Sequence, residues 1–220
     1  MTAPASEMTD PKLKFGGAII NLSRFIRLQA RMRRERLRFG WTPSIEAPST
    51  YNALLAAYDM CACRRLPLRV SSLNCDPVIY DSPATNQAFR YWHDTSHIMF
   101  GLSFETDDEL ELADHHLEAV RAEGYGPDTI EHQLLHADTF GQAYFQMCTG
   151  RFVGNQVLFD TNCVLLGVEE AVSQEIAALQ ENDVVTRTDH DGEHDPDRDH
   201  DHALDRDFER DLDHDHAVKP

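Results

Sequence analysis

The sequence lacks several patterns that assign a chain to a familiar class of protein. No run of eighteen apolar residues occurs among its 220 residues, so we expect no membrane-spanning helix. The first residues lack the basic-then-apolar order of a secretory signal peptide. No glycine-rich phosphate loop, nucleophile elbow or dinucleotide fingerprint is present. These absences argue against nucleotide-binding and serine-hydrolase chemistry, and they predict a cytoplasmic protein.

Cysteine is scarce and irregularly spaced. The five cysteines are an odd number without zinc-ribbon spacing, which argues against a disulfide framework: Cys61, Cys63, Cys75, Cys148 and Cys163. The pair Cys61 and Cys63 could bind a metal or act in redox chemistry. Buried or partly buried free thiols are the simpler interpretation.

Positive charge is also in short supply, and the excess of negative charge is unevenly spread. The net charge is −18, and residues 182–220 hold fourteen Asp or Glu against five Lys or Arg. The acidic remainder makes nucleic acid an unexpected partner. Six of the twelve histidines lie between Asp189 and His216, a segment with almost no apolar content. We predict that this tail is disordered, and either solubilises the protein or captures metal weakly.

Apolar periodicity predicts an all-α, bundle-like single domain. A flexible leader is expected over 1–11, the helical domain over 12–181 and the disordered acidic tail over 182–220. Prolines 43 and 48 bracket a predicted loop, and Leu68–Val70 is a candidate extended piece. Helices are predicted over 18–39, 51–58, 83–101, 106–124, 130–149 and 162–179.

The first predicted helix is basic and amphipathic. Its arginines recur on one face and its apolar residues on the other: Arg24, Arg27, Arg31, Arg34 and Arg38 against Leu22, Phe25, Ile26 and Met32. One interpretation is a helix that lies on an anionic membrane, with arginines contacting phosphates. The other is a domain helix whose apolar face lies in the core. Nucleic-acid binding by the arginine face is a weaker third alternative.

Four potential metal ligands lie within a span of seventeen residues. His93 and His97 lie one helical turn apart, Asp94 lies three residues before His97, and Glu109 follows after eleven residues. Two imidazoles and two carboxylates suit zinc or another first-row divalent ion. The apolar flanks strengthen this interpretation, since buried charges need partners or a metal. Without a metal, these residues would form hydrogen-bonded pairs on a polar helix face, and Glu109 would only favour the start of a helix.

Other histidines give weaker signals. His132 and His136 are also one turn apart and follow Glu131, so in a bundle they could supply a second layer around the metal or a second site. A solvated helix face is the simpler interpretation of this pair. His115 and His116 point about 100° apart on a helix, so at most one of them can face the centre.

The segment around the first cluster resembles the metal motif of the fourth coenzyme-Q biosynthesis protein, a family of the ubiquinone pathway. That pattern is His-Asp-x-x-His, eleven residues and then Glu, with a short apolar run containing Gly after the second His. Here the run is Ile98–Leu102, and the resemblance covers about residues 88–112. It does not extend to residues 120–180 or to the acidic tail.

The resemblance implies an all-helical fold, a divalent metal such as zinc at His93, Asp94, His97 and Glu109, and a prenylated ubiquinone precursor as ligand. Other proteins of the pathway and the inner face of a membrane become candidate partners. It also implies a role in oxidative decarboxylation of the ring, with His93 and Asp94 as candidate catalytic residues. The alternatives are a non-catalytic, metal-stabilised lipid-binding scaffold and a metal-dependent hydrolase.

Overall fold

The computed structural model describes the backbone of residues 11–75 and 79–190 and the side chains of 15–75 and 79–180. Helix dominates these residues, so the predicted all-α class is confirmed. A π-helical turn, Ala137–Gly141, lies between the fifth and sixth helices. The helices are α1 (Pro11–Leu37), α2 (Tyr51–Arg64), α3 (Pro83–Phe100), α4 (Thr106–Ala122), α5 (Ile130–His136), α6 (Gln142–Thr149), α7 (Gln156–Leu166) and α8 (Val168–His190).

Two short strands pair in parallel, and α2 connects them. Strand β1 (Trp41–Ser44) lies beside β2 (Leu68–Ser71), with Trp41 opposite Leu68. The predicted extended piece is therefore confirmed. Of the loop predicted between Pro43 and Pro48, the first two residues belong to strand β1, and residues 45–48 form a turn and irregular backbone. Pro43 is tolerated because a two-stranded sheet consists of edge strands.

Helix α1 forms the centre of the main core. Leu22 and Ile26 are completely buried and Phe25 is nearly so, and the helix packs mainly against α3. Three of the four apolar side chains proposed to enter a membrane are therefore core residues, whereas Met32 is exposed. On the other face, Arg27 pairs with Asp81 at 2.7 Å. Contact between the remaining arginines and an anionic surface stays a prediction.

The two ends of α3 follow the sequence signals. The Ser82 hydroxyl accepts a hydrogen bond from the Thr85 amide, and Pro83 is the first helical residue. Gly101 ends the helix at φ +74°, and its amide donates to the carbonyl oxygen of His97. The motif helix therefore has the boundaries that the sequence predicted, and its end is tied to one of the predicted ligands.

The second half of the chain departs from the predicted helices. The predicted helix over 130–149 contains the π-helical turn, and the one over 162–179 is interrupted at Gly167, whose φ is +90°. Only glycine adopts such angles readily, so α7 ends at Gly167 and a separate helix, α8, begins at Val168. A second buried cluster, which includes Phe145 and Phe159, packs between these elements.

The predicted boundaries of leader, domain and tail are only partly within the described residues. The compact unit ends at Gln180, and α8 extends to His190, past the predicted boundary at 181. The structure does not describe residues 1–10 and 191–220, so the predicted leader and most of the predicted disordered tail lie outside it.

Candidate metal centre

Three of the four predicted ligands meet at the junction of α3 and α4. The Nε2 atoms of His93 and His97 lie 3.0 Å apart. Glu109, in the first turn of α4, places one carboxylate oxygen 3.5 Å from His93 Nε2 and the other 3.4 Å from His97 Nε2. His97 is fully buried, while His93 and Glu109 are partly buried. The structure thus brings together three side chains that could hold one ion.

The distances fit a divalent ion. Two ligand atoms that each lie about 2.1 Å from an ion are about 3.0 Å apart at a right angle and about 3.4 Å apart at the tetrahedral angle. The two imidazole nitrogens are 3.0 Å apart, each lies 3.4 to 3.5 Å from a different oxygen of Glu109, and one ligand atom from each residue can be chosen so that all three lie within 4.8 Å of one another. The donors, two imidazole nitrogens and a carboxylate, are those that zinc accepts.

A backbone carbonyl fixes the orientation of His97. Its Nδ1 lies 3.1 Å from the carbonyl oxygen of Leu102, in the turn that Gly101 opens. Because a carbonyl accepts and the ring nitrogen must donate, the proton is on Nδ1. With Nδ1 used in this way, Nε2 is the ring atom that faces Glu109 and that would hold an ion.

His116 fixes the orientation of His93 in a similar way, a role that the sequence analysis did not predict. Its Nε2 lies 3.2 Å from His93 Nδ1, and its ring packs against Trp92 with the centroids 4.0 Å apart. Burial, together with the positive potential of His93 and His97, holds the pKa of His116 well below its usual value. A neutral His116 can accept the Nδ1 proton of His93, which directs His93 Nε2 at the ion.

The electrostatics of the cluster favour a bound cation. Burial raises the pKa of Glu109, but the hydrogen bonds from His93 and His97 outweigh it and hold that pKa far below its usual value. Burial lowers the pKa of His93, but the hydrogen bond and the negative charge of Glu109 oppose this effect, and the net pKa is above its usual value. Glu109 is therefore a permanent anion, and a proton on His93 is the natural competitor of a metal ion.

Asp94, the fourth predicted ligand, does not belong to the group of three side chains that could hold an ion. It lies near them, since the positive potentials of His93 and His97 act on its carboxyl. Burial nevertheless raises the pKa of Asp94 to about 6. The structure supports three ligands, and the metal-binding and catalytic roles of Asp94 stay predictions.

A cavity of about 820 Å³ opens beside this cluster and is partly lined by His93 and Glu109. Its wall is rich in carboxamides: Asn86, Gln142, Gln146, Asn155 and Gln156. Arg90 and Asp138 add one charge of each sign, and Phe89 contributes an aromatic surface. Leu73 and Phe152 line the cavity and are exposed, so they lie at its opening. The cavity therefore combines a polar interior with an apolar rim.

A buried polar network, missed at the sequence level, continues the cavity wall. The Tyr80 hydroxyl donates to Asp138 Oδ2 at 2.5 Å, and Gln142 Nε2 donates to Asp138 Oδ1 at 2.9 Å. Gln142 also reaches Oδ1 of the fully buried Asp160 at 3.5 Å. The π-helical turn that carries Asp138 is a feature frequently found at functional sites.

The second histidine cluster does not join this centre. His132 accepts a hydrogen bond from Arg121 Nε at 3.1 Å, and His136 stacks on Phe140. His136 lines a separate cavity of about 490 Å³. All five cysteines are free thiols, and neither Cys61 nor Cys63 belongs to a possible metal group among the described residues.

Comparisons with protein-family models, curated proteins and solved structures give no match to this chain. The resemblance to the coenzyme-Q family therefore rests on the motif alone. Within the described part of the chain, no helix combines the length and apolarity needed to cross a membrane.

Proposed function

We propose that the chain is a metal-dependent protein of ubiquinone or related prenyl-quinone biosynthesis. His93, His97 and Glu109 hold its divalent ion, with zinc the first choice, and the adjacent cavity takes a prenylated ring precursor. The observation that carries the proposal is the convergence of these three side chains beside a cavity. The family assignment within it depends on the motif.

The number of ligands supports a catalytic site over a structural one. Structural zinc sites close their shell with four protein ligands, whereas catalytic sites use three and leave a position for a ligand. Here His93 and Glu109 face the cavity. When bound, the ion would supply Lewis-acid polarisation of a ligand oxygen. The scaffold alternative requires Asp94 to move in and close the shell.

The lining of the cavity supports a ligand with two different ends. The carboxamides and Arg90 offer hydrogen bonds to a substituted ring, and Phe89 offers a surface for stacking. Leu73 and Phe152 are 55% and 76% exposed at the opening, where an apolar chain would leave the cavity. An apolar rim also suits a protein that docks peripherally on a membrane and takes its ligand from it.

A metal-dependent hydrolase is the second candidate. Two histidines and one glutamate are also the ligand set of zinc hydrolases. Asp138 places a further carboxylate on the wall of the same cavity, where a hydrolase needs a general base. Assay of purified, metal-loaded protein with a prenylated ring acid and with ester or amide substrates separates the two candidates.

The test of the metal site is elemental analysis combined with native mass spectrometry and lipid extraction of the full chain. We expect about one tightly bound divalent ion per chain, lost in His93→Ala and in His97→Ala. His115→Ala is the matched control, because this histidine stacks on Phe100 instead of joining the cluster. A wild-type protein that binds no divalent ion when zinc is supplied would overturn the proposal.

A further inference from the structure

Asp138, on the cavity wall, and Asp160, which does not line the cavity, have unequal surroundings. Asp138 lines the cavity, and both of its oxygens accept hydrogen bonds, from Tyr80 and from Gln142. Asp160, on α7, is 0% exposed, and its Oδ2 has no hydrogen-bond partner among the described residues. The only hydrogen bond to its Oδ1 from a described residue is the long contact of 3.5 Å from Gln142.

An unpartnered, ionised oxygen at this depth would be costly. A buried charge without partners is strongly destabilised, and the neighbouring charge of Asp138 is of the same sign. A cation could neutralise Asp160, but the complete burial of this residue leaves no solvent-sized space beside it. A proton needs no such space, and it removes the charge.

We propose that Asp160 is a neutral carboxylic acid, that its pair with ionised Asp138 carries one proton, and that Asp138 exchanges a proton with cavity ligands bearing an ionisable O–H group. The last part deepens the proposed function, because it concerns the ligand of the same cavity. The first two parts do not depend on that function.

The electrostatic surroundings agree with this division of roles. Burial, and then the charge of Asp138, raise the pKa of Asp160 well above its usual value. Burial also raises the pKa of Asp138, while the hydrogen bond from Tyr80 and the positive charges of Arg90 and His93 oppose that rise. The charge of Asp160 would also act on the thiol of Cys163, but burial raises the pKa of that thiol to about 12, so it stays neutral.

The proton transfer is balanced without a further reactant. A proton leaves the O–H group of the ligand and binds an oxygen of Asp138, so the ligand becomes one unit more negative and Asp138 becomes neutral. No other bond changes. Arg90 lines the same cavity and supplies positive charge for the anion that forms. Tyr80 and Gln142 keep the carboxyl of Asp138 in place during the exchange.

The proton on Asp160 is tested in the full chain by carboxyl carbon NMR with ¹³C-labelled aspartate. At weakly alkaline pH we expect wild-type protein to retain the resonance of one protonated carboxyl group, and Asp160→Asn to lose it. Asp81→Asn is the control, because Asp81 is ionised beside Arg27 and should leave that resonance unchanged. If Asp160→Asn does not fold, the wild-type spectrum still decides, since the absence of the resonance there overturns the proposal.

The exchange at Asp138 is tested with 4-nitrophenol, an aromatic O–H acid whose anion is coloured. At a pH below the pKa of the free probe, binding to wild-type protein should produce phenolate absorbance, and Asp138→Asn should lose most of it. Any of three results would overturn the proposed exchange: equal phenolate absorbance in both proteins, binding without phenolate absorbance, or no binding. The readout needs no metal, so a failed metal site would leave this test intact.

Discussion

At the scale of single residues, orientation of the ligand histidines is the property that sets metal affinity. His93 is oriented by its hydrogen bond with His116, a residue outside the group of three candidate ligands. We expect His116→Phe to weaken zinc binding roughly 10- to 100-fold, because the ring packing against Trp92 is kept while the hydrogen-bond acceptor is lost. Competition titration with a chromophoric chelator measures the change.

The matched control is His115→Phe, on the residue immediately before. His115 stacks on Phe100 and makes no contact with His93 among those described, so its zinc affinity should equal that of the wild type. Equal affinities in the two variants would contradict the role of His116.

A second prediction at this scale concerns stability and pH. The pKa of Asp160 is raised in the folded protein above the ordinary value of 3.8, so the folded state binds the proton more strongly than the unfolded state. The stability that this residue contributes is present below 3.8 and is lost as the pH rises through the folded-state pKa. Relative to Asp160→Asn, the wild type should therefore become less stable with rising pH, by at most about 1.4 kcal/mol per pH unit.

Urea unfolding of both proteins at several pH values measures this difference. A difference that is independent of pH would show that Asp160 has an ordinary pKa. The same experiment on Asp81→Asn should give the opposite slope, because the pKa of Asp81 is lowered.

Three of the four predicted metal ligands form a group that could hold an ion, so this part of the site was predictable from the sequence, while the polar network was not. His93 and His97 share a face of one helix, and a period of 3.6 residues reveals that face directly. Tyr80 and Asp138 are 58 residues apart and meet only through tertiary packing. A signal for His116 existed, since Leu112 and Val120 lie one turn before and after it and mark the core face of α4.

At the scale of helices and turns, the end of α3 links backbone geometry to the metal centre. Gly101 has φ +74°, and a Cβ added there would meet no atom within 4 Å. Gly101→Ala should therefore cost about 1 kcal/mol through backbone strain alone. Because the turn also carries the carbonyl that orients His97, zinc affinity should fall together with the melting temperature.

Gly17→Ala serves as the control for that variant. Gly17 lies exposed within α1, where an added Cβ also meets nothing, so alanine should stabilise the helix by about 0.5–1 kcal/mol and leave zinc affinity unchanged. If Gly101→Ala were as stable as the wild type, the predicted backbone strain at residue 101 would be wrong.

Helix α1 provides the second prediction at this scale. Arg24, Arg31 and Arg34 are exposed, and on an anionic surface each would contribute about 1 kcal/mol at low salt. Replacing all three with Gln should strongly reduce co-sedimentation with anionic vesicles. Arg27 is excluded, because it pairs with Asp81. Wild-type protein that ignores such vesicles at low salt would end the membrane hypothesis.

The break between α7 and α8 could not be predicted from the spacing of apolar residues. The apolar positions continue across Gly167 with helical spacing, so periodicity alone predicts one helix. The break depends on a backbone conformation with φ +90°, which apolar spacing does not encode. Local spacing could not predict the strand at 41–44 either, because its partner β2 lies more than twenty residues away.

For the whole molecule, the acidic C-terminal segment should be dispensable for folding. Its composition cannot supply a core, and the compact unit ends at Gln180. A chain ending at residue 190 should melt cooperatively at the wild-type temperature and bind the same amount of zinc. Differential scanning calorimetry and metal analysis test this, and a loss of several degrees would show that the removed residues stabilise the fold.

The positions of the ligands along the chain have a consequence for the order in which the parts assemble. All three ligands lie within the seventeen residues from His93 to Glu109, so bringing them together closes only a short loop, at a low entropic cost. The cavity wall needs Asp138 and Gln156, tens of residues further along. The junction of α3 and α4, which carries the three candidate ligands, can therefore form before the cavity wall, and it would keep a bound ion while the cavity opens by local unfolding.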